Sequence, residues 1–171
     1  MSSQEHEQLL ARERPVFDGA EPAGSSVALM NLARLAAFTD DERWRQATER
    51  ALDSYLPRLR ERPMAMSEAL LAVDYLRGPV REIVLVIPSD GPGDGAFPQS
   101  SFHKALAETF CPRKALVTVA ANSPTRPGLE ERIPWLKGKA AQHELATAFV
   151  CTLGQCQLPT TDPSEFLQQI S

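Results

Sequence analysis

The sequence predicts a mixed protein in which three consecutive helices precede a small α/β unit with a mainly parallel sheet. Three observations carry this reading. Helical periodicity runs from Ser25 to about Leu76. Past Gly78-Pro79 the pattern changes to the aliphatic run Ile83-Val84-Leu85-Val86-Ile87, closed by Pro88, which marks a strand covered on both faces. The order strand, helix, strand between Val80 and Ala120 then suggests a right-handed parallel crossover. Residues 1–78 are read as the helical segment and 79–171 as the α/β unit.

In the first helix, Ser26 to Phe38 is apolar on most sides, with Asn31 and Arg34 as a narrow polar strip and Ser25 as the N-cap, so it is expected to be largely buried. After Thr39-Asp40-Asp41, residues Trp44, Ala47, Ala51, Leu52, Tyr55, Leu56 and Leu59 recur on one face of a second helix. Pro57 interrupts it and predicts a kink or an early stop, with a short continuation to Arg62. Pro63 is expected to open a third helix with Met66, Ala69, Leu70, Val73 and Leu76 inward. A helix from about Ser100 to Phe110 and a strand from Ala115 to Ala120 follow. A proline-broken loop from Asn122 to Gly138 precedes a third strand, Ala146 to Cys151. Asp162, Pro163 and Glu165 have the spacing of a capping box for a last helix ending near Ile170.

Length and composition narrow the function classes. At 171 residues the chain is long enough for a real core, burying roughly 70% of its unfolded surface. A net charge of −4 gives no electrostatic case for nucleic acid or an anionic membrane as partner, and no apolar run approaches the ~20 residues of a membrane helix. The polar start, Met1-Ser2-Ser3-Gln4-Glu5-His6-Glu7, lacks a leader's basic and apolar regions, so the expected location is cytoplasmic. Three cysteines argue against a secreted disulfide scaffold and for thiols in a reducing compartment.

Cys151 and Cys156 are the chemistry-bearing pair. A four-residue turn after a strand brings two sulfurs within bonding reach, so they are candidates for a redox pair or disulfide; buried, structural thiols are the alternative. The spacing is not the Cys-x-x-Cys that depresses a thiol pKa at a helix start. Cys111, His103 and His143 are scattered without knuckle spacing, so no metal site is expected. Gly91-Pro92-Gly93-Asp94-Gly95 follows a strand but fits neither a dinucleotide fingerprint nor a phosphate loop, so no cofactor is expected. Arg58, Arg60 and Arg62 crowd a helix end, where cations offset the macrodipole.

Two motifs resemble one family. Asp18-Gly19-Ala20-Glu21-Pro22-Ala23-Gly24-Ser25-Ser26-Val27, preceded by His6-Glu7-Gln8-Leu9-Leu10 and Arg14-Pro15, is similar to the D-x-A-E-P-S-x-N-S segment of the thioredoxin-domain-containing proteins typified by spermatogenesis-associated protein 20 and the bacterial YyaL-like proteins. Ala148-Phe149-Val150-Cys151 through Cys156, with Pro159, Thr161, Asp162 and Pro163, resembles that family's A-Y-V-C-x-x-x-x-C-x-x-P-x-T-D-P ending. Ser25 stands where the family usually has Asn, and Phe149 where Tyr is common.

The resemblance implies a C-terminal portion of a longer protein that joins a thioredoxin-like domain to an (α/α)6 barrel of the six-hairpin glycosidase and sugar-epimerase kind. It implies that the three helices are the barrel's last ones and that the thioredoxin-like domain and most of the barrel are missing here. Asp18 and Glu21 then become candidates for sugar-binding or acid/base carboxylates; charge preceding a helix start is the other explanation. The expected function is a module that is non-catalytic or catalytically incomplete on its own. One piece of a split carbohydrate-active barrel, or a small thiol-redox protein using Cys151 and Cys156, are the alternatives. Expected partners are an upstream barrel or thioredoxin-like polypeptide, or a second copy, because a truncated helix layer leaves apolar surface uncovered.

Overall fold

The computed structural model describes residues 16–88 and 100–171. The motif residues at 6–10, 14 and 15 and the glycine-rich stretch 91–95 lie outside them. The architecture is mixed: among the described residues there are six α-helices and a four-stranded sheet. The chain divides into two compact units, one running to Ala36 and resuming over Asp41–Arg77, the other made of Ala37–Asp40 with Gly78–Ser171.

The first unit contains most of α1 (Gly24–Thr39), then α2 (Glu42–Glu61), a 3-10 turn (Pro63–Ala65) and α3 (Ser67–Arg77). Asp41 caps α2 by accepting from the Arg43 amide at 2.8 Å. The helix continues through Pro57 to Glu61 rather than stopping there. Pro63 opens the 3-10 turn, and α3 begins four residues later. The expected Met66, just before α3, and Ala69 are buried, joined by Ala72 and Tyr75, whereas the expected Leu70 and Leu76 are exposed. Small Ala69 and Ala72 allow closer packing than leucines would, and the three-residue spacing keeps one stripe inward. α1 is likewise less buried than expected: Ser26, Leu29, Met30 and Ala33 face inward, while Val27 and Leu35 are exposed.

The second unit is built on the sheet, with strand order β2-β1-β3-β4. β1 (Arg81–Ile87) pairs parallel with β2 (Lys114–Ala120), with α4 (Ser101–Ala107) lying between them in sequence. β3 (Thr147–Thr152) pairs antiparallel with β1, and the short β4 (Gln155–Cys156) pairs antiparallel with β3. The sheet is therefore mixed, which corrects the expected mainly parallel arrangement. A parallel β3 would require the chain to travel back to the start of β1. Pro124, Pro127 and Pro134 instead break the connection into short pieces: α5 (Arg126–Arg132), a 3-10 turn (Pro134–Leu136) and a tight Gln142–Leu145 turn. The chain re-enters the sheet at the end where β2 left it, with Thr147 opposite Val86.

Both faces of β1 are covered, as its continuous aliphatic run predicts. Ile83, Leu85 and Ile87 pack with Phe102, Leu106, Phe166 and Ile170 from α4 and α6 (Pro163–Ile170). Val84 and Val86 pack with Val117, Val119 and Leu136, bordered by Phe38, Trp135 and Phe149. The Trp135 indole donates to the Ala37 carbonyl at 3.1 Å and its ring stacks on Phe38 at 6.0 Å.

Asp162 caps α6 through the Ser164 amide at 2.7 Å. Glu165 does not complete a capping box. It accepts from the Thr160 hydroxyl at 2.6 Å, and that same hydroxyl oxygen accepts from the Asp162 amide at 3.0 Å. Beyond β4 the chain keeps beside β3: the Gln157 amide donates to Val150, and Ala148 and Thr160 exchange both backbone bonds. From Val150 to Ala148 is two steps on β3, against three from Gln157 to Thr160 on the outer chain. The extra residue makes a β-bulge around Leu158 and Pro159.

Candidate functional site

The sequence-predicted thiols meet at the end of the sheet. Cys151 of β3 and Cys156 of β4 are register partners with Cα atoms 3.9 Å apart, and their sulfurs are joined in a disulfide. The hydrogen bond between the flanking Val150 and Gln157 makes Cys151 and Cys156 a non-hydrogen-bonded pair, the kind whose side chains approach most closely. Leu153 and Gly154 form the two-residue loop, with φ of 52° and 77°. Positive φ at both positions is the type I′ geometry that matches strand twist. Gly154 adopts it without steric penalty, whereas Leu153, an exposed β-turn leucine, holds a conformation that costs a side-chain-bearing residue about 1–2 kcal/mol.

The two sulfurs differ in environment. Cys151 is 1% exposed, while Cys156 lies on the surface and lines a shallow depression with Thr152, Leu153, Gln155 and Gln157. The remaining cysteine, Cys111, is a buried free thiol in the core under α4 and α6. No cluster of metal-ligating side chains occurs among the described residues.

Asp18 and Glu21 have separate fates. The Asp18 carboxylate accepts from the Ala23 amide at 2.8 Å and, fifty positions along the chain, from the Glu68 amide at 2.9 Å in the first turn of α3. Its own amide donates to the Ala65 carbonyl at 2.8 Å. Asp18 thus pins the motif loop to the start of α3, where backbone donors and the positive end of the helix favour an anion. Glu21 is exposed. The loop uses one carboxylate, that of Asp18, to hold its own fold.

Two polar sets were not legible as sets in the sequence. The first joins His103 of α4 to β2. The Ser100 amide donates to His103 Nδ1 at 3.3 Å, so Nε2 carries the proton and donates to Thr118 Oγ1 at 3.0 Å; the Ser100 hydroxyl also lies 2.8 Å from Nδ1. Burial holds the His103 pKa below its ordinary 6.5. Between that depressed value and 6.5 the unfolded chain binds the proton more readily. The stability this group contributes is present above 6.5 and is lost as pH falls through the folded-state value. Acidification from about pH 7.5 to 5 is therefore expected to lower the urea midpoint. H103Q, which keeps a side chain able to reach the Ser100 amide, should flatten that slope. An unchanged slope in H103Q would assign it to other groups.

The second set lies on the opposite face. Lys139 is 8% exposed, donates to the Trp135 carbonyl and sits 5.9 Å from the centre of the Phe149 ring. Burial lowers its pKa, against the opposing pull of Glu82. Glu82 is raised, first by burial, with Lys139 lowering it and Asp40 raising it further. Sequence spacing could not reveal this grouping, because Asp40, Glu82 and Lys139 come from three distant segments.

No protein-family model matches the chain, and no solved structure matches it. Three curated proteins do. Spermatogenesis-associated protein 20 of Homo sapiens is 32% identical over 152 residues, which is 86% of this chain and 18% of that protein. The proteins of the same name from Mus musculus and Rattus norvegicus are each 30% identical over the same shares. The chain spans 18% of the length of these relatives. No helix among the described residues is long and apolar enough to cross a membrane.

Proposed function

Because this chain is a homologue of one segment of spermatogenesis-associated protein 20, we propose that it is the C-terminal module of a protein of that family and performs no catalysis by itself. One observation carries the reading: both oxygens of Asp18, the carboxylate at the head of the family motif, are held by backbone amides of Ala23 and Glu68. A carboxylate committed in this way anchors a loop, and glycoside chemistry needs a second carboxylate facing it across the sugar.

The partner that fits is the polypeptide that the relatives carry beyond the matched segment. Val27 and Leu35 on α1 and Leu71 on α3 leave apolar side chains exposed on the helical unit, Leu71 at 57%. Helices of a complete barrel would cover such side chains.

A thermal-shift series with neutral aldoses and ketoses tests the reading. No sugar should raise the melting temperature of the wild type. A ligand at 100 times its Kd stabilises by about 2.7 kcal/mol, which would move the midpoint by several degrees and be plainly visible. A sugar-dependent rise that D18N abolishes would overturn the proposal in favour of one piece of a split carbohydrate-active barrel.

A further inference from the structure

We propose that the Cys151–Cys156 disulfide is a reducible centre, opened by attack at Cys156 Sγ, and that its co-reactant is a dithiol whose attacking sulfur sits in a neutral, apolar surface. This goes beyond the module reading and does not depend on it. Three observations point the same way. The bond spans the last strand pair of the sheet, where β4 closes the strand order. Its sulfurs are unequal in access, Cys156 being exposed and Cys151 buried, so an incoming thiolate meets Cys156 first. The outer segment itself carries no charge: from Leu145 to Thr161 there is no Asp, Glu, Lys, Arg or His, and Leu153 and Leu158, 83% and 84% exposed, flank the bond, while the charged residues nearest in register, Arg81 and Glu82, belong to β1 on the inner side of β3.

The register also bears on the direction of the chemistry, because the residue opposite Cys151 on β1 is the carboxylate Glu82. A catalytic thiol needs a nearby cation or helix start to hold it as thiolate, and this segment supplies neither. The hairpin is thus the recipient of reducing equivalents rather than their catalyst. In the first step the partner's thiolate bonds to Cys156 Sγ, the bond to Cys151 breaks, and Cys151 Sγ takes the electron pair and a proton from water. In the second, the partner's other thiolate attacks its own first sulfur. The mixed disulfide breaks, and Cys156 leaves with the electron pair and is protonated. Two electrons and two protons pass to the hairpin, and the dithiol becomes a disulfide.

A monothiol is a poor substitute. After the first step Cys151 still stands opposite Cys156 across a 3.9 Å Cα separation, held there by the β ladder, and it expels the incoming thiol. A dithiol completes its own ring in competition with that return.

The test uses the whole chain in native buffer, with dithiothreitol and reduced glutathione at equal total thiol, acid quenching, alkylation and peptide mass mapping. Dithiothreitol should open the Cys151–Cys156 bond about ten-fold further than glutathione while Cys111 stays unmodified. In C151S, oxidised glutathione should add one glutathione at Cys156. In C156S, addition at the buried Cys151 should be about ten-fold slower. Circular dichroism checks that both variants fold, and the wild-type comparison decides the matter if either does not. The proposal is overturned if dithiothreitol opens the bond only after denaturant is added, if glutathione matches it, or if the two folded variants are modified at equal rates.

Discussion

Replacing Phe166 with alanine is expected to remove about 3–5 kcal/mol from the stability of the second unit, the largest effect of any single truncation considered. The ring is fully buried and meets Phe102 edge-to-face, with centroids 5.3 Å apart and planes at 82°. It belongs to the cluster that joins α4 and α6 to Ile83, Leu85 and Ile87 on one face of the sheet. No neighbouring side chain can fill the space without leaving its own contacts. The loss should appear as a lower urea midpoint in Trp135 fluorescence, in a W44F background where Trp135 is the remaining indole. F166L, which keeps much of the volume, should lose markedly less. A loss below about 1 kcal/mol in F166A would mean that α6 is not anchored through this ring.

The second large effect concerns the other unit. D18A is expected to cost about 2–3 kcal/mol, because two amides, Ala23 and Glu68, lose a charged acceptor at once. D18N retains one carboxamide oxygen and should fall between alanine and wild type. Trp44 lies in the same unit, so its fluorescence in a W135F background reports this change. If D18A unfolds at the wild-type urea concentration, the carboxylate is not the tie that its hydrogen bonds describe.

The elements that depend on local pattern were legible in the sequence. The β1 run, the Asp162-Pro163 start of α6 and the turn that brings Cys156 back toward Cys151 rest on short-range signals: uninterrupted aliphatic residues, a capping oxygen beside a proline, and a four-residue turn after a strand. What failed depended on partners far along the chain. The direction of β3 is set by its long connection and by its pairing with β1, which the residues of β3 do not encode. The inward face of α3 is chosen by packing, so small alanines displaced Leu70 and Leu76. Glu165 had the spacing of a capping box, but Thr160 offered it a nearer hydroxyl. At the site, spacing marked Cys151 and Cys156 as candidates for a pair and left buried structural thiols open, whereas the commitment of Asp18 to Glu68 gave no local signal, because fifty residues separate them.

The bulge at Leu158 and Pro159 has a consequence for how the molecule behaves in a crowd. A proline has no amide to offer, and an extra residue spoils the even spacing that a foreign strand would need, so the β4 flank refuses fibre growth. The β2 flank carries no such irregularity, its register with β1 being unbroken from Lys114 to Ala120. Cross-β propagation, where it occurs at all, is thereby confined to one direction.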